Sequence, residues 1–369
     1  MIERHERVQG KITDLVLAQR SVGNLGSACL RIGQRERAIT CYDEALRLAR
    51  EDNNRWGEGA WLGNLGVCAG ELGQNARAKE YYEQALAIRR EVGDRTGEGI
   101  DLGNLGGCYS NMGLLDRAVD YYEQALDIDR QIQNKAFEAD DLGSLGDCYT
   151  DLGQYDHALE HYKKSLIKAR EIVYRFGEAR ALASVGVLYL IIGKHEEATT
   201  PFQQSIEIAD EISNLETQKF ARTFAAIASL RNGELSAARQ MAEAASRYHF
   251  PSQGANASTV LGVVAYSQGD LGAAMEALAA AIGQADKLLA MTPDLYGALD
   301  AKALAMCGLA LCGDTEQISA ARATFTAARK VTSAAGIVKR VLLLFDALAQ
   351  ADRGHILADV RPAAAGSKT

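Results

Sequence analysis

The chain has 369 residues, 47% of them hydrophobic, and a formal net charge of −8 in which acidic and basic residues are well mixed. This balance argues against nucleic-acid binding, which requires a basic patch or stripe. The first twenty residues have no apolar run of signal-peptide length and no stretch of 18 apolar residues occurs anywhere, so we expect a cytoplasmic protein with neither a nucleic-acid nor a membrane partner.

A glycine-rich segment recurs along the first half of the chain. It reads VGNLGSACLRIG from Val22, LGNLGVCAGELG from Leu62, LGNLGGCYSNMG from Leu102, LGSLGDCYTDLG from Leu142 and LASVGVLYLIIG from Leu182. A phosphate-binding loop occurs once per nucleotide site, whereas a fixed period of 40 residues indicates stacked supersecondary units. The register therefore predicts a solenoid.

Each 40-residue unit has the pattern of two helices. From Glu98 to Asn134, apolar residues recur every three or four positions on both sides of Gly113. Gly113 is predicted to end the first helix in a left-handed turn, and Asn134 suits the turn to the next unit. Small residues at Gly106 and Ala118 would let the two helices approach closely. Because only 4 prolines occur, helix is favoured throughout.

The order of residues in this unit resembles the signature of the tetratricopeptide repeat, a helix–turn–helix. The matching positions are Leu105, Gly106, Tyr109, Ala118, Tyr122 and Ala125. The 40-residue length, against the usual 34, is similar to the Leu-Gly-Asn repeats of spindle-orientation adaptors and to the sensor arrays of bacterial signalling ATPases and some caspase-like proteases. The family's first-helix aromatic is missing at Leu102, and its late proline near Ile132. The resemblance implies an all-α fold, a right-handed α-solenoid of stacked antiparallel helix pairs.

The organisation predicted from this pattern has five parts. Residues 1–17 form an N-terminal helix or partial repeat, 18–210 five regular units, 211–330 about three degenerate helix pairs, 331–355 a capping helix, and 356–369 a disordered tail. The sequence begins in the middle of a unit. Either it is one segment of a longer parent, or it has a divergent cap.

The sequence offers no constellation that indicates catalysis. Cys68, Cys108 and Cys148 recur at the 40-residue period, which is typical of small buried apolar positions. An odd total of 7 cysteines fits a reducing compartment. Histidines are scattered without metal-ligand spacing, and "GSKT" at the end of the chain lacks the upstream glycine of a phosphate loop. We therefore expect no enzyme activity, no cofactor and no metal.

The candidate binding residues lie on the first helix of each pair, which lines the concave groove in solenoids of this type. If Leu105 and Tyr109 face the core, then Asn104 and Gly103 face the groove. The predicted peptide-binding set is Asn24, Asn64, Asn104, Ser144, Gly63, Gly103, Asp140, Asp147 and Arg180.

Asparagine offers both a donor and an acceptor, so a row of asparagines could hold an extended backbone without reading its sequence. The resembling adaptors use asparagines at this position in that way. The glycines next to the row, including Gly23 and Gly143, would leave room for the ligand.

Two alternatives accompany this assignment. The asparagines could instead bond to a neighbouring unit and order the stack. Asp140 and Asp147 could favour a partner with basic residues, or they could simply form a solvated surface.

The sequence thus predicts a non-enzymatic scaffold that binds a peptide or protein segment in its groove. A ligand-sensing regulatory domain of a larger ATPase, protease or transcription factor is the alternative, and a self-assembling module is a further one.

Overall fold

The structure, a computed structural model, describes residues 14–247 and 251–366, and these residues form helices and no strand. The helices are α1 (Leu15–Arg31), α2 (Arg35–Glu51), α3 (Arg55–Glu71), α4 (Asn75–Val92), α5 (Arg95–Asn111), α6 (Leu115–Ile132), α7 (Lys135–Leu152), α8 (Tyr155–Glu171), α9 (Arg175–Ile191), α10 (His195–Glu211), α11 (Leu215–Arg231), α12 (Leu235–Ser246), α13 (Pro251–Ser267), α14 (Leu271–Met291), α15 (Tyr296–Leu311), α16 (Gln317–Val331), α17 (Ala335–Ala351) and α18 (Arg361–Ala365). Up to α16, each odd-numbered helix is the first helix of a pair and each even-numbered helix is the second. Consecutive pairs stack on one another within residues 14–111 and within residues 135–331, which confirms the predicted all-α solenoid.

Glycine ends the first helix of each pair. Gly113 has φ +74°, as predicted, and the equivalent glycines of the other pairs have φ between +74° and +118°. The turn between pairs is different, because a non-glycine residue usually takes the positive φ there. In the unit predicted from Glu98 to Asn134 that residue is Gln133, with φ +58°, and not Asn134.

In the first five pairs, a glycine in the middle of the first helix accommodates an aromatic ring from the second helix. A Cβ on Gly66 would lie 2.5 Å from Cε1 of Tyr82, and a Cβ on Gly146 would lie 2.5 Å from Cε1 of Tyr162. The same relation holds for Gly26 with Tyr42, Gly106 with Tyr122, and Gly186 with Phe202. The prediction that these glycines serve close packing is correct, and the group they admit is an aromatic ring.

The cysteines behave as small hydrophobic residues. All seven are unpaired and six are buried, with Cys312 partly exposed. Burial raises the pKa of the Cys68 thiol to about 11 and that of Cys108 to about 12, so both stay protonated at neutral pH.

The chain divides into two compact units. Among the described residues, the N-terminal unit contains 14–111 together with 120–134, and the C-terminal unit contains 112–119, 135–247 and 251–366. The boundary predicted at residue 210 falls inside the C-terminal unit. There, regular and degenerate pairs share one core, to which Phe202, Val260 and Phe325 contribute.

Helix α17 of the C-terminal unit has a different position from the one predicted. It lies inside the range 331–355 predicted to cap the end of the stack, yet it contacts the first helices of five successive pairs, α7, α9, α11, α13 and α15. Phe345 and Leu348 of α17 are fully buried in the shared core. The helix therefore runs along the first-helix face and is not a cap, because its apolar stripe packs against that face.

The predicted disordered tail is wrong over residues 356–366. Leu357 and Val360 are buried, with 1% and 0% of their surfaces exposed, and α18 follows at Arg361–Ala365. The carboxylate of Asp352 accepts a hydrogen bond from the Leu357 backbone N–H at 2.8 Å and fixes the turn before α18. Residues 1–13, in the predicted N-terminal segment, and 367–369, at the end of the tail, lie outside the described residues.

Candidate binding site on the first helices

Three asparagines form a row on the first helices of the N-terminal unit. Asn24 on α1 is exposed, and Asn64 on α3 and Asn104 on α5 are partly exposed. We call these three residues the amide row. Among the residues that the structure describes, none provides a hydrogen-bond partner for these side-chain amides. The alternative in which the asparagines bond to a neighbouring unit is therefore not seen here.

The glycines beside the amide row do not leave open space. A Cβ on Gly23 would overlap the ring of Trp61, and a Cβ on Gly63 would lie 3.2 Å from Oδ1 of Asp101. Each of these two glycines makes room for a side chain of the next first helix. The prediction that they leave space for a ligand is therefore wrong for Gly23 and Gly63. Gly103, the third predicted position of this kind, is partly exposed.

An arginine of a second helix reaches the first helices next to the amide row. Arg89 of α4 lies between Gly59 and Gly97, and a Cβ on Gly97 would overlap its guanidinium group. Arg89 forms an ion pair with Asp94, and its Nε lies 3.6 Å from Oδ2 of Asp101. Two glycines on adjacent first helices thus create the passage for this side chain.

Asp101 is a buried carboxyl, with 2% of its surface exposed. Burial raises its pKa to about 7, and the neighbouring Arg89 only partly counters that effect. Asp101 lies three residues before Asn104 on α5, so a group that changes charge near neutral pH lies behind the amide row.

A large apolar side chain is exposed on the same unit. Trp56 has 60% of its surface exposed, and the Arg89 guanidinium lies 5.7 Å from its ring centroid. Ile100 on α5 is 40% exposed. Sequence reasoning did not single out either residue. The signal was present, since Trp56 occupies a position that Thr96 and Ala136 fill in the next two repeats.

The remaining predicted site residues lie in the C-terminal unit, where side chains of the protein itself already engage them. Arg180 donates from Nη2 to the Asp140 carbonyl oxygen at 2.8 Å and to Ser144 Oγ at 3.2 Å. The Tyr174 hydroxyl donates to the Asp140 carboxylate at 2.9 Å. A Cβ on Gly143 would lie 3.1 Å from Arg180 Nη2, so this glycine also makes room for the protein.

Asp147 belongs to a second internal network. Its Oδ1 accepts hydrogen bonds from the Tyr162 hydroxyl at 2.7 Å and from Ser184 Oγ at 3.0 Å. Tyr162 is fully buried, and burial together with Asp147 raises its pKa. Internal side chains thus already engage both Asp140 and Asp147, on which the expected preference for a basic partner was based.

Helix α17 completes the occupation of this face. Arg340 forms an ion pair with the buried Asp151 of α7, 189 positions away in the sequence. A Cβ on Gly336 would overlap the carbonyl oxygen of Thr150, so the backbones of α17 and α7 are in direct contact. Within the C-terminal unit, the candidate groove is therefore filled by the protein's own helix.

Neither a metal centre nor a membrane span emerges from the residues described. No cluster of three or more histidine, cysteine, aspartate or glutamate side chains has a geometry suited to a metal ion within residues 14–247 and 251–366. No helix in the same ranges is long and apolar enough to cross a bilayer.

Comparison with known proteins gives a consistent result. Models of the tetratricopeptide repeat match residues 17–91, 57–131 and 141–211, and a further model of that repeat matches 225–288. No curated protein matches the sequence of this chain.

Several solved structures are similar in fold. A Rap protein complexed with competence and sporulation factor is 17% identical, with 79% of this chain and 80% of that chain covered and a TM-score of 0.64. The apo form of RapI is 17% identical, with 73% and 98% covered and a TM-score of 0.59. A signal transduction ATPase with a tetratricopeptide repeat sensor from Pyrococcus horikoshii is 17% identical, with 80% and 44% covered and a TM-score of 0.54.

Proposed function

We propose, from the premise that the chain belongs to the tetratricopeptide repeat family, that it is a non-enzymatic scaffold which binds an extended segment of a partner protein on the first helices of its N-terminal unit. The repeat fold supports the coarser statement, a protein-interaction scaffold. The site, the residues and the extended conformation of the partner are our proposal.

The amide row carries this proposal. Asn24, Asn64 and Asn104 repeat at 40-residue intervals, reach solvent, and have no hydrogen-bond partner among the described residues. Each side-chain amide can donate to a backbone carbonyl and accept from a backbone N–H. A regular row of such groups matches the regular polar groups of an extended chain, because an extended segment leaves its own backbone groups unpaired.

The contacts of the C-terminal unit favour the N-terminal unit as the binding site. Asp140, Asp147, Ser144 and Arg180 are bonded to one another or to nearby side chains, and α17 covers the first-helix face of that unit. A partner that bound there would have to replace these contacts, whereas the amide row has none to replace.

The similar Rap structure provides a precedent in fold alone, since it was solved with competence and sporulation factor bound. It does not identify the partner of this chain.

The proposal is tested with the variant Asn64→Ala/Asn104→Ala and a displayed library of random twelve-residue peptides. Each lost hydrogen-bonding group should reduce the binding free energy by about 0.5–1.5 kcal/mol, so the double variant should bind peptides roughly 5- to 150-fold more weakly. The matched control is Gln84→Ala, which removes an exposed amide from the second helix α4.

We expect peptides selected on the wild-type protein to bind the control equally well and the double variant weakly. The melting temperature of the double variant should stay close to that of the wild type. A lower melting temperature with unchanged peptide binding would show that the asparagines order the stack, and it would refute the proposal.

A further inference from the structure

We infer that the bound segment carries a large apolar side chain, aromatic by preference, which packs on an apolar flank made by Trp56 and Ile100 beside the amide row. This inference rests on the proposed function and names the chemistry of the partner.

The exposure of Trp56 is the first observation. Tryptophan is usually highly buried, yet 60% of this side chain is exposed to solvent. The position varies between repeats, with Thr96 and Ala136 in the next two units and Phe176 in the one after. The repeat therefore does not require a tryptophan here, and most of the ring is open to a partner.

The flank lies on the same helix face as the amide row. Trp56 and Asn64 are eight residues apart on α3, and Ile100 and Asn104 are four apart on α5, spacings that place each pair on one side of its helix. At 1.5 Å per residue, Ile100 lies about 6 Å along the axis from Asn104, and Trp56 lies about 12 Å along the axis from Asn64. An extended segment rises about 3.3 Å per residue, so its residues reach from the amide row to either side chain within a few positions.

The tryptophan is held in place before any partner arrives. The Arg89 guanidinium lies 5.7 Å from the ring centroid, and Arg89 is itself anchored by its ion pair with Asp94 and by its passage between glycines of α3 and α5. Cation–π contact orients the ring, and a preoriented ring loses little entropy on binding.

The surroundings of the ring indicate which side chains fit. Because Asp94 and Asp101 neutralise the Arg89 charge, the exposed part of the ring offers mainly apolar surface, on which an aromatic or large aliphatic side chain adds apolar burial and ring stacking. The partner segment thus presents backbone polar groups to the amides and one apolar side chain to Trp56.

The test uses the full chain and the same displayed library of random twelve-residue peptides. Selection on the wild-type protein should enrich sequences that share an aromatic or large aliphatic residue at one fixed position. For a selected peptide, Trp56→Ala should weaken binding at least tenfold. Changing the shared residue of the peptide to alanine should have a similar effect, and the two changes together should cost less than their sum.

Ile167→Ala is the matched control, because Ile167 is 57% exposed and lies on the second helix α8. This variant should bind like the wild type, and both variants should melt close to the wild-type temperature, since more than half of each side chain is exposed.

The outcomes separate this inference from the proposed function. Peptides that need Asn64 and Asn104 but share no apolar position, or that bind Trp56→Ala normally, would overturn the inference and leave the proposed function standing. Peptides that need Trp56 but tolerate loss of both asparagines would overturn the proposed function and leave the apolar preference standing. Failure to select any peptide would overturn both.

Discussion

The contact between Gly66 and Tyr82 allows a quantitative test of how the helix pairs are packed. In Gly66→Ala the new methyl group would lie 2.5, 2.7 and 2.8 Å from Cε1, Cδ1 and Cζ of the Tyr82 ring. Ordinary carbon–carbon contacts are about 3.5–4.0 Å. Tyr82 is 95% buried, so the ring cannot move aside without disturbing its neighbours.

Two opposing effects determine how far Gly66→Ala changes the free energy of unfolding. Alanine gains about 1 kcal/mol over glycine in a helix, whereas overpacking a well-packed core costs about 1–3 kcal/mol. Gly70→Ala on the same helix gives the matched control, because a Cβ there meets only the Ala78 Cβ at 4.0 Å. The gain in propensity cancels between the two variants. Their free energies of unfolding should therefore differ by about 1–3 kcal/mol, with Gly66→Ala the less stable.

The assay is urea unfolding of both variants, followed by circular dichroism at the helix band. Tyr82→Leu supplies an internal check, because the smaller side chain makes room for the methyl group. The double variant Gly66→Ala/Tyr82→Leu should be more stable than the sum of the single effects predicts. If Gly66→Ala unfolds at the same urea concentration as Gly70→Ala, the proposed role of this glycine is wrong.

Two further predictions concern α17 and Asp101. In Gly336→Ala the new methyl group would overlap the carbonyl oxygen of Thr150 and should separate the start of α17 from α7. Backbone hydrogen exchange should therefore become faster in α17 and stay unchanged in α1–α4. Equal exchange rates in the variant and the wild type would contradict the docking of α17. Asp101 has a folded-state pKa raised to about 7, above the roughly 3.9 of an unfolded aspartate, so the folded state binds more protons between these values and its stability falls as pH rises through that window. The melting temperature of Asp101→Asn relative to the wild type should therefore rise from pH 5 to pH 7 and level off above pH 7.5, and a difference independent of pH would show that Asp101 is ionised throughout.

The sequence predicted what local rules and the repeat determine. The left-handed glycine at Gly113 and the buried cysteines follow from a pattern that recurs in every unit, so each repeat provides independent evidence for the same geometry. The amide row was identified from the same register, and its function stays a prediction.

The sequence did not predict what depends on contacts between distant segments. The ion pair of Arg340 with Asp151 joins residues 189 positions apart, and the 40-residue repeat of the sequence does not indicate it. The prediction of a cap treated α17 as one more local element, whereas its apolar stripe packs on five first helices. The tail was expected to be disordered, yet Leu357 and Val360 are buried and dock it over residues 356–366.

Helix α17 changes how the C-terminal unit responds to force and to partial unfolding. In a simple solenoid each pair touches only its neighbours, so the array can stretch like a spring or unravel from one end. Helix α17 contacts the first helices of five consecutive pairs and so removes that elasticity. No pair can rotate relative to its neighbours without breaking contacts with α17. The unit should lose its structure in a single step. Because α17 is made after the pairs that it joins, this stiffness should arise only once its residues have left the ribosome.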